Sequence, residues 1–494
     1  MLTQPKTGIP KRKTFRNARL GLGLVCGALS SAGALGDIPV TGMPVPELAN
    51  FDQLMVDFME DNDVKGAVLG IMKDGVIVYQ RGFGWKDDAE TIPLRHDAVM
   101  RIASITKPFT AVAIQQLYAS GALDPNDTVF DLGQPGGGVL PYLAFDGDDF
   151  VQFPNVPDSR MQQITVQQIL SHNSGLPTND GSEIDPLFND IQIAQQLNDA
   201  GFATSNPPGP VRVTQWALGR TLANNPGQTV AYSNYGFMVL GQVVEQVSGM
   251  SHFDYVSDHI LAPIPWLPLN DVVYGRSFES QLDPREPYYD NTQMVTNVFD
   301  PGGDDVRRPH GGYHHELHFA SGAFVTGTTA LLHLAENYYI QAEDFGDGDA
   351  LTYGAPTNGV RPNPKRSHGG RLFGTGTWLR QRPDGVNFAV LTNKGLADDP
   401  LTELRDMLDT EIDNGGFTWP TQGVDGQWVD LDRFLPGVGS YESPWKFFGI
   451  ALSSSPDKAT LNFKPGASSW TGTINQRVRL RAPQAGVVAR IGQL

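Results

Sequence analysis

Ser104 and Lys107 stand three residues apart in RIASITKPFT (101–110), and their types and spacing could do chemistry. A serine hydroxyl is a weak nucleophile until a base removes its proton. A lysine can be that base if burial or a neighbouring cation lowers its pKa towards neutrality. On a helix, the i, i+3 spacing puts both side chains on one face, a turn apart. The helix start adds backbone N–H groups that can hold a negatively charged oxygen. The spacing alone decides nothing, because it recurs at Ser443/Lys446 and Ser455/Lys458. Those serines are each followed by proline in a Gly-, Ser- and Pro-rich tail. Ser104 instead precedes an apolar helical run (Phe109, Val112, Ala113, Leu117) that Gly121 ends, so context selects Ser104 and Lys107.

The surrounding elements follow from periodicity and turn chemistry. FDQLMVDFMED (51–61) has a helical apolar period, and AVLGIMKDGVIVYQRGFGW (67–85) gives two strand runs around a Lys73-Asp74-Gly75 turn. Thr165 can cap a helix VQQILSHNSG that stops at Gly175, and a further helix follows Tyr235. LFGTGTWLRQRPDGVNFAVLTN (372–393) predicts a second hairpin turning at Pro383-Asp384-Gly385, with a helix over 401–413. Residues 131–160 and 280–318 lack periodicity and predict irregular segments. Strands near both ends with helices between them predict an α/β (α+β) domain whose sheet is mainly antiparallel and built from distant parts of the chain. The domain is placed at 37–414. Short alternating runs at 415–494 (TLNFK, TGTINQRVRLR, GVVARIG) predict a C-terminal extension, a small β appendage or meander.

Two further motifs follow the serine and lysine in order: Tyr232-Ser233-Asn234 before an apolar helix, and His368-Gly369-Gly370 leading into the second hairpin. SITK, YSN and HGG in this order resemble the serine β-lactamase / penicillin-binding-protein superfamily. The branch they resemble is that of class C β-lactamases, D-Ala-D-Ala carboxypeptidases and family VIII esterases. ITVQQILSHNSGLP (164–177), SGMSHFDYVSDHILAPI (248–264) and ASGAFVTGTTALLHL (320–334) are similar to that branch's connecting segments, and the resemblance covers about 50–412. It implies a β-lactamase/transpeptidase-like fold, with an antiparallel sheet flanked by helices plus a helical subdomain.

The resemblance also implies roles. Ser104 is the nucleophile and Lys107 the proton acceptor. Tyr232, as phenolate or within a proton network shared with Lys107, passes the proton to the leaving group. Asn234 holds Lys107 and touches substrate. The backbone N–H groups of Ser104 and Arg371 form the oxyanion hole, and Gly369 and Gly370 let substrate lie against their strand. Tyr289-Asp290-Asn291 and His310-Gly311-Gly312 repeat two of the motifs, but in an acidic, Pro-rich loop and ahead of the ASGAFVTG segment, where the family does not place them. One departure bears on substrate. The family usually has lysine first in its third box, to meet a substrate carboxylate, and this chain has His368, neutral or only partly charged at pH 7. Uncharged esters or amides are favoured, with Arg371 as a nearby cation.

Other clusters read more plainly. His172 in SHNSG is expected to be a structural turn. His310, His314, His315 and His318 fall within nine residues, yet HELH lacks the spacing of a metalloprotease motif, and lining a pocket or a surface loop is preferred to holding metal. The acidic runs 145–149 and 344–349 lack a calcium-loop signature.

Lys6, Lys11, Arg12, Lys13, Arg16 and Arg19, then an apolar run Leu20–Leu35 and Ala34-Leu35-Gly36, predict a signal peptide at 1–36 and a secreted or periplasmic protein. The run is shorter than the ~20 residues a membrane span needs. Cys26, the single cysteine, lies inside it, so the mature chain has no disulfide, no thiolate nucleophile and no Cys-ligated zinc. Removing 1–36 leaves 30 Lys and Arg against 54 Asp and Glu, a net charge of −24, which disfavours nucleic acid and anionic membranes as partners. The expectation is a secreted serine hydrolase that needs no cofactor and forms an acyl-enzyme on small ester, amide or peptide substrates, an esterase first. The alternatives are a D-amino-acid peptidase or carboxypeptidase, a β-lactamase, or a catalytically silent binding protein on the same scaffold.

Overall fold

A computed structural model of the chain describes residues 38–141, 158–178, 185–265, 267–268, 270–341, 352–425, 427–429, 460–463 and 479–481. The expected signal peptide, both acidic runs and the Ser443 and Ser455 motifs lie outside these residues. Among the described residues, no helix is long and apolar enough to cross a membrane.

The strands are β1 (Val40–Thr41), β2 (Gly66–Lys73), β3 (Val76–Gly84), β4 (Met100–Arg101), β5 (Val272–Tyr274), β6 (Met294–Val295), β7 (Val306–Arg307), β8 (Phe324–Thr326), β9 (Arg366–Leu372), β10 (Thr375–Gln381), β11 (Val386–Thr392), β12 (Gln427–Val429), β13 (Thr460–Phe463) and β14 (Arg479–Arg481). The helices are α1 (Ala49–Asn62), α2 (Thr106–Ser120), α3 (Val166–Leu170), α4 (Asp190–Asp199), α5 (Pro210–Leu218), α6 (Asn234–Ser248), α7 (His252–Tyr255), α8 (Thr328–Asn337) and α9 (Asp398–Asn414).

Both hairpins form where the turn residues place them, with Gly75 and Gly385 at φ +80° and +77°, values that glycine adopts without strain. They join into one antiparallel sheet, β1-β3-β2-β11-β10-β9, in which β2 pairs with β11 more than 300 residues later in the chain. The strands of the centre are buried on both faces (β2, β3 and β11 almost throughout), because α8 covers one face and α1 with α9 the other. Gly70 lets α8 close on β2, since a Cβ there would stand 2.7 Å from Thr328 Oγ1. β9, which carries His368-Gly369-Gly370, is an edge strand. A smaller sheet, β4-β8-β5, holds the chain entering the Ser104 turn.

Two details differ from the sequence expectations. The helix after Thr165 ends at Leu170 rather than at Gly175, because His172 takes a left-handed φ of +55° and turns the chain. The N-terminal end is as expected: Thr165 and Gln168 form a capping box. In the C-terminal segment, β12, β13 and β14 form a small three-stranded parallel sheet, so of the two forms expected, appendage or meander, the pairing differs from the meander, and GVVARIG lies outside the described residues.

Candidate active site

Ser104 lies in a single 3-10 turn (Ala103–Ile105) that runs straight into α2, with Pro108 in that helix's first turn. Ala103 holds a left-handed φ of +48°, a conformation costly for a residue with a side chain. The turn is braced from both sides. Arg101, fully buried, donates to Pro309 O (2.7 Å) and Arg276 O (2.8 Å) and lies over the Tyr289 ring. On the sheet side, Thr377 Oγ1 donates to Ile102 O (3.0 Å) and Thr375 Oγ1 to Arg101 O (2.8 Å).

Lys107 is fully buried, one turn along. Its Nζ reaches Ser104 Oγ at 3.2 Å, Asn234 Oδ1 at 2.8 Å and Ser321 O at 2.9 Å. Burial disfavours the ammonium and lowers its pKa to about 7, against a smaller opposing pull from Asp185. The amine is therefore half neutral near physiological pH.

Tyr232 and Asn234 arrive together at the start of α6. Ser233 is the N-cap: its Oγ accepts from Gly236 N (2.9 Å) and donates to Pro177 O (2.5 Å). Its backbone N–H donates to His172 Nδ1 (3.2 Å), and the His172 ring lies against Tyr232 with centroids 4.6 Å apart. The left-handed turn at His172 thus holds the tyrosine motif from below. Tyr232 is 37% exposed, and its hydroxyl hydrogen-bonds Ser104. Burial pushes the phenol well above its usual range, so it keeps its proton. Lys107 Nζ sits 4.7 Å from the ring centroid.

His368 is buried on β9, with Nδ1 on Gly369 O (3.0 Å). Burial, and then Lys107, lower it to about 4, which makes the ring neutral at physiological pH. Strand alternation puts His368, Gly370 and Leu372 on one face of β9 and Gly369 and Arg371 on the other. The third motif's glycines also serve packing. A Cβ on Gly370 would stand 2.3 Å from Ile102 O and 3.2 Å from Ala103 Cβ, and one on Gly369 would stand 2.6 Å from the Trp378 ring. Glycine at 370 lets the strand close on the serine turn. Gly370→Ala is expected to force β9 off that turn, at a cost of about 1–3 kcal/mol. Fluorophosphonate labelling of Ser104 should slow roughly tenfold or more, measured beside the thermal midpoint. Unchanged labelling would contradict this packing role. Arg371 is exposed on the outer side of β9.

The second copies of the motifs lie elsewhere. Tyr289 is buried structure: its hydroxyl accepts from Arg101 N (2.9 Å) and donates to Glu286. His310 packs near the Tyr289 ring. The clustered histidines diverge: His315 Nδ1 meets Tyr313 Oη (2.8 Å), and His318 Nε2 donates to Leu187 O (3.0 Å). Among the described residues, no group of three or more His, Cys, Asp or Glu is placed to hold a metal ion.

Sequence reading missed two contributors. Ser321 acts through its backbone carbonyl, which no residue type signals. Asp185 accepts from Asn234 Nδ2 at 2.9 Å, from a loop with no motif.

The family model described as Beta-lactamase matches residues 51–433. The chain belongs to this family. Among curated relatives, "Protein flp" of Staphylococcus aureus (strain MW2) is 28% identical over 222 residues, 44% of this chain and 38% of the relative. "Penicillin-binding protein 4*" of Bacillus subtilis (strain 168) is 28% identical over 209 residues, 41% of this chain and 37% of the relative. The chain thus spans well under half the length of the curated relatives it matches. Among solved structures, "A class C beta-lactamase" superposes with a TM-score of 0.50 at 14% identity, covering 74% of this chain and 96% of that one. The β-lactamase/transpeptidase-like fold read from the three motifs is therefore the fold of this β-lactamase-family chain.

Proposed function

We propose that this β-lactamase-family protein is an exported serine hydrolase that acts through an acyl-enzyme on Ser104, with uncharged carboxylic esters as its substrates. The catalytic domain is 37–414, with 1–36 removed on export and 415–494 appended. The observation that carries this reading is the contact set of Lys107. A neutral amine has two hydrogens and one lone pair. Asn234 Oδ1 and Ser321 O each accept a hydrogen, and the lone pair is left for Ser104 Oγ at 3.2 Å.

In the acylation step, Lys107 takes the hydroxyl proton as Ser104 Oγ bonds to the substrate carbonyl carbon. The backbone N–H groups of Ser104 and Arg371 receive the oxyanion. The tetrahedral centre collapses, the C–O bond to the leaving alcohol breaks, and Tyr232, which holds its proton, protonates that oxygen while drawing the proton on Lys107. Of the two roles open to Tyr232, the shared network is favoured over a phenolate by its raised pKa. Water then attacks the acyl-serine with the same groups in reverse.

The ester preference rests on charge and lining. His368, His172 and His318 all face Lys107 as neutral rings, so no fixed cation takes the place of the family's third-box lysine. Ala103 packs with Leu372 and Tyr313 against Phe188 and Phe373. A cavity of about 500 Å3, bounded by Phe188, Asn291, Arg371, Leu372, Phe373 and Leu396, begins there and has room for an acyl group on its apolar side. The test is turnover of p-nitrophenyl butyrate, a D-Ala-D-Ala peptide and a chromogenic cephalosporin side by side. The ester should be turned over fastest, with kcat/KM rising through a limb near pH 7 as Lys107 loses its proton. Turnover of the peptide or the cephalosporin alone would replace the ester reading with the D-peptidase or β-lactamase one.

A further inference from the structure

Asp185 lies on the loop before α4, buried, and no catalytic motif contains it. Its Oδ2 accepts from Asn234 Nδ2 at 2.9 Å and its Oδ1 from Leu187 N at 3.0 Å. A carboxylate can only accept, so neither bond can reverse. An asparagine amide has two chemically opposite ends. With its NH2 committed to Asp185, Asn234 must turn its Oδ1 towards Lys107, 2.8 Å away. If the amide were turned over, its NH2 would face Lys107 instead and compete with Ser104 for the lone pair.

The loop is itself clamped. Asn189 Nδ2 donates to Asp185 O (2.7 Å), His318 Nε2 to Leu187 O (3.0 Å) and His314 N to Asp190 Oδ2 (3.2 Å). Two of the four clustered histidines thus brace the segment that carries this carboxylate.

We propose that Asp185 is a positioning residue for acylation: it locks the Asn234 amide in the one orientation that leaves the Lys107 lone pair to Ser104. The proposal rests on the reading of Ser104 and Lys107 given above. The groups facing Lys107 are Ser104 on its own turn, Tyr232 and Asn234 from the start of α6, His172, His318 and His368 as neutral rings, and Asp185 from the loop. Asp185 is the carboxylate among them: burial raises its own pKa against the hydrogen bonds from Asn234 and Leu187, and its charge holds the Lys107 pKa up against desolvation.

Asp185→Asn separates this role from bulk packing. Asparagine offers one acceptor and one donor. If it keeps the Leu187 bond, it turns an NH2 towards Asn234, whose amide must then flip. With 13C-labelled lysine, the Lys107 Cε resonance of D185N is expected to titrate at lower pH than in the wild type. Fluorophosphonate labelling of Ser104 should slow roughly tenfold or more. The exchanged pair D185N/N234D restores the donor–acceptor polarity, because the carboxylate introduced at 234 accepts from both the new amide and Lys107. Its Lys107 titration should move above the wild-type value, and labelling should recover on the alkaline side.

A D185N protein with the wild-type melting profile and an unshifted Lys107 titration would overturn the proposal. If D185N does not fold, labelling of the exchanged pair decides alone: recovery on the alkaline side supports the lock, and no recovery at any pH overturns it. The lysine titration needs no substrate. A wild type that takes no label on Ser104, with variants that still show these shifts, would sink the acyl-serine reading and the acylation role with it, and leave only the fixed orientation of the Asn234 amide standing.

Discussion

Lys107→Met is expected to slow acylation of Ser104 by about 1,000-fold, within the range that loss of a positioned general base produces. Methionine keeps the length of the side chain and removes the amine, so the serine turn stays packed while its proton loses an acceptor. The same substitution has a signature in stability. Lys107 falls from an ordinary 10.5 to about 7 in the folded protein. Below pH 7 both states hold the proton, and the fold carries the full cost of a buried ammonium, about 5 kcal/mol from a shift of this size. Between pH 7 and 10.5 the folded amine is neutral while the unfolded one is still charged. The unfolded state then binds more protons, and stability rises with pH. Against Lys107→Met, which cannot titrate, the wild type should therefore gain stability steadily from pH 7 towards pH 10, read from denaturant midpoints at several pH values. Parallel pH profiles for the two proteins would mean that Lys107 is not desolvated.

Ser104→Ala is expected to abolish acylation altogether, because among the described residues Ser104 Oγ is the hydroxyl that hydrogen-bonds Lys107 Nζ. A fluorophosphonate probe should leave the variant unlabelled at a concentration that saturates the wild type, whereas Ser443→Ala should label as the wild type does. Equal labelling of the two variants would remove Ser104 from the mechanism. The fold should survive: Ser104 is held by its neighbours' contacts, through Arg101, Thr375 and Thr377, rather than by its own hydroxyl.

What the chain discloses before folding follows from how local each signal is. The hairpins at Asp74-Gly75 and Asp384-Gly385 were legible because turn residues at φ near +80° leave a compositional mark. The helix of residues 106–120 was legible from its apolar period, and Tyr232 and Asn234 because they abut a helix start. α4 and α5 were not singled out: they sit between irregular segments, with α5 only nine residues long. β4, β5 and β8, each two or three residues long, exist through pairing with distant partners, which no local pattern records.

The candidate site divides the same way. Ser104, Lys107, Tyr232 and Asn234 come together, as their motifs suggested. The packing role of Gly369 and Gly370 was not legible, because what fills the space beside a glycine depends on what folds against it: Trp378 and the serine turn. The histidine cluster offered metal-like density in sequence, yet its rings point to separate partners, Tyr313, Ala323 and Leu187. Asp185 was invisible, since one aspartate among the chain's many acquires meaning only when the fold lays it on Asn234.

The most direct test of the central claim is to mix the wild-type protein with p-nitrophenyl butyrate, quench in acid within a turnover, digest, and map the modified peptide by mass spectrometry. A butyryl group on the peptide that contains Ser104, absent from Ser104→Ala, is the predicted result. Ester turnover with the butyryl group on another residue, or with no acylated peptide at any quench time, would contradict it.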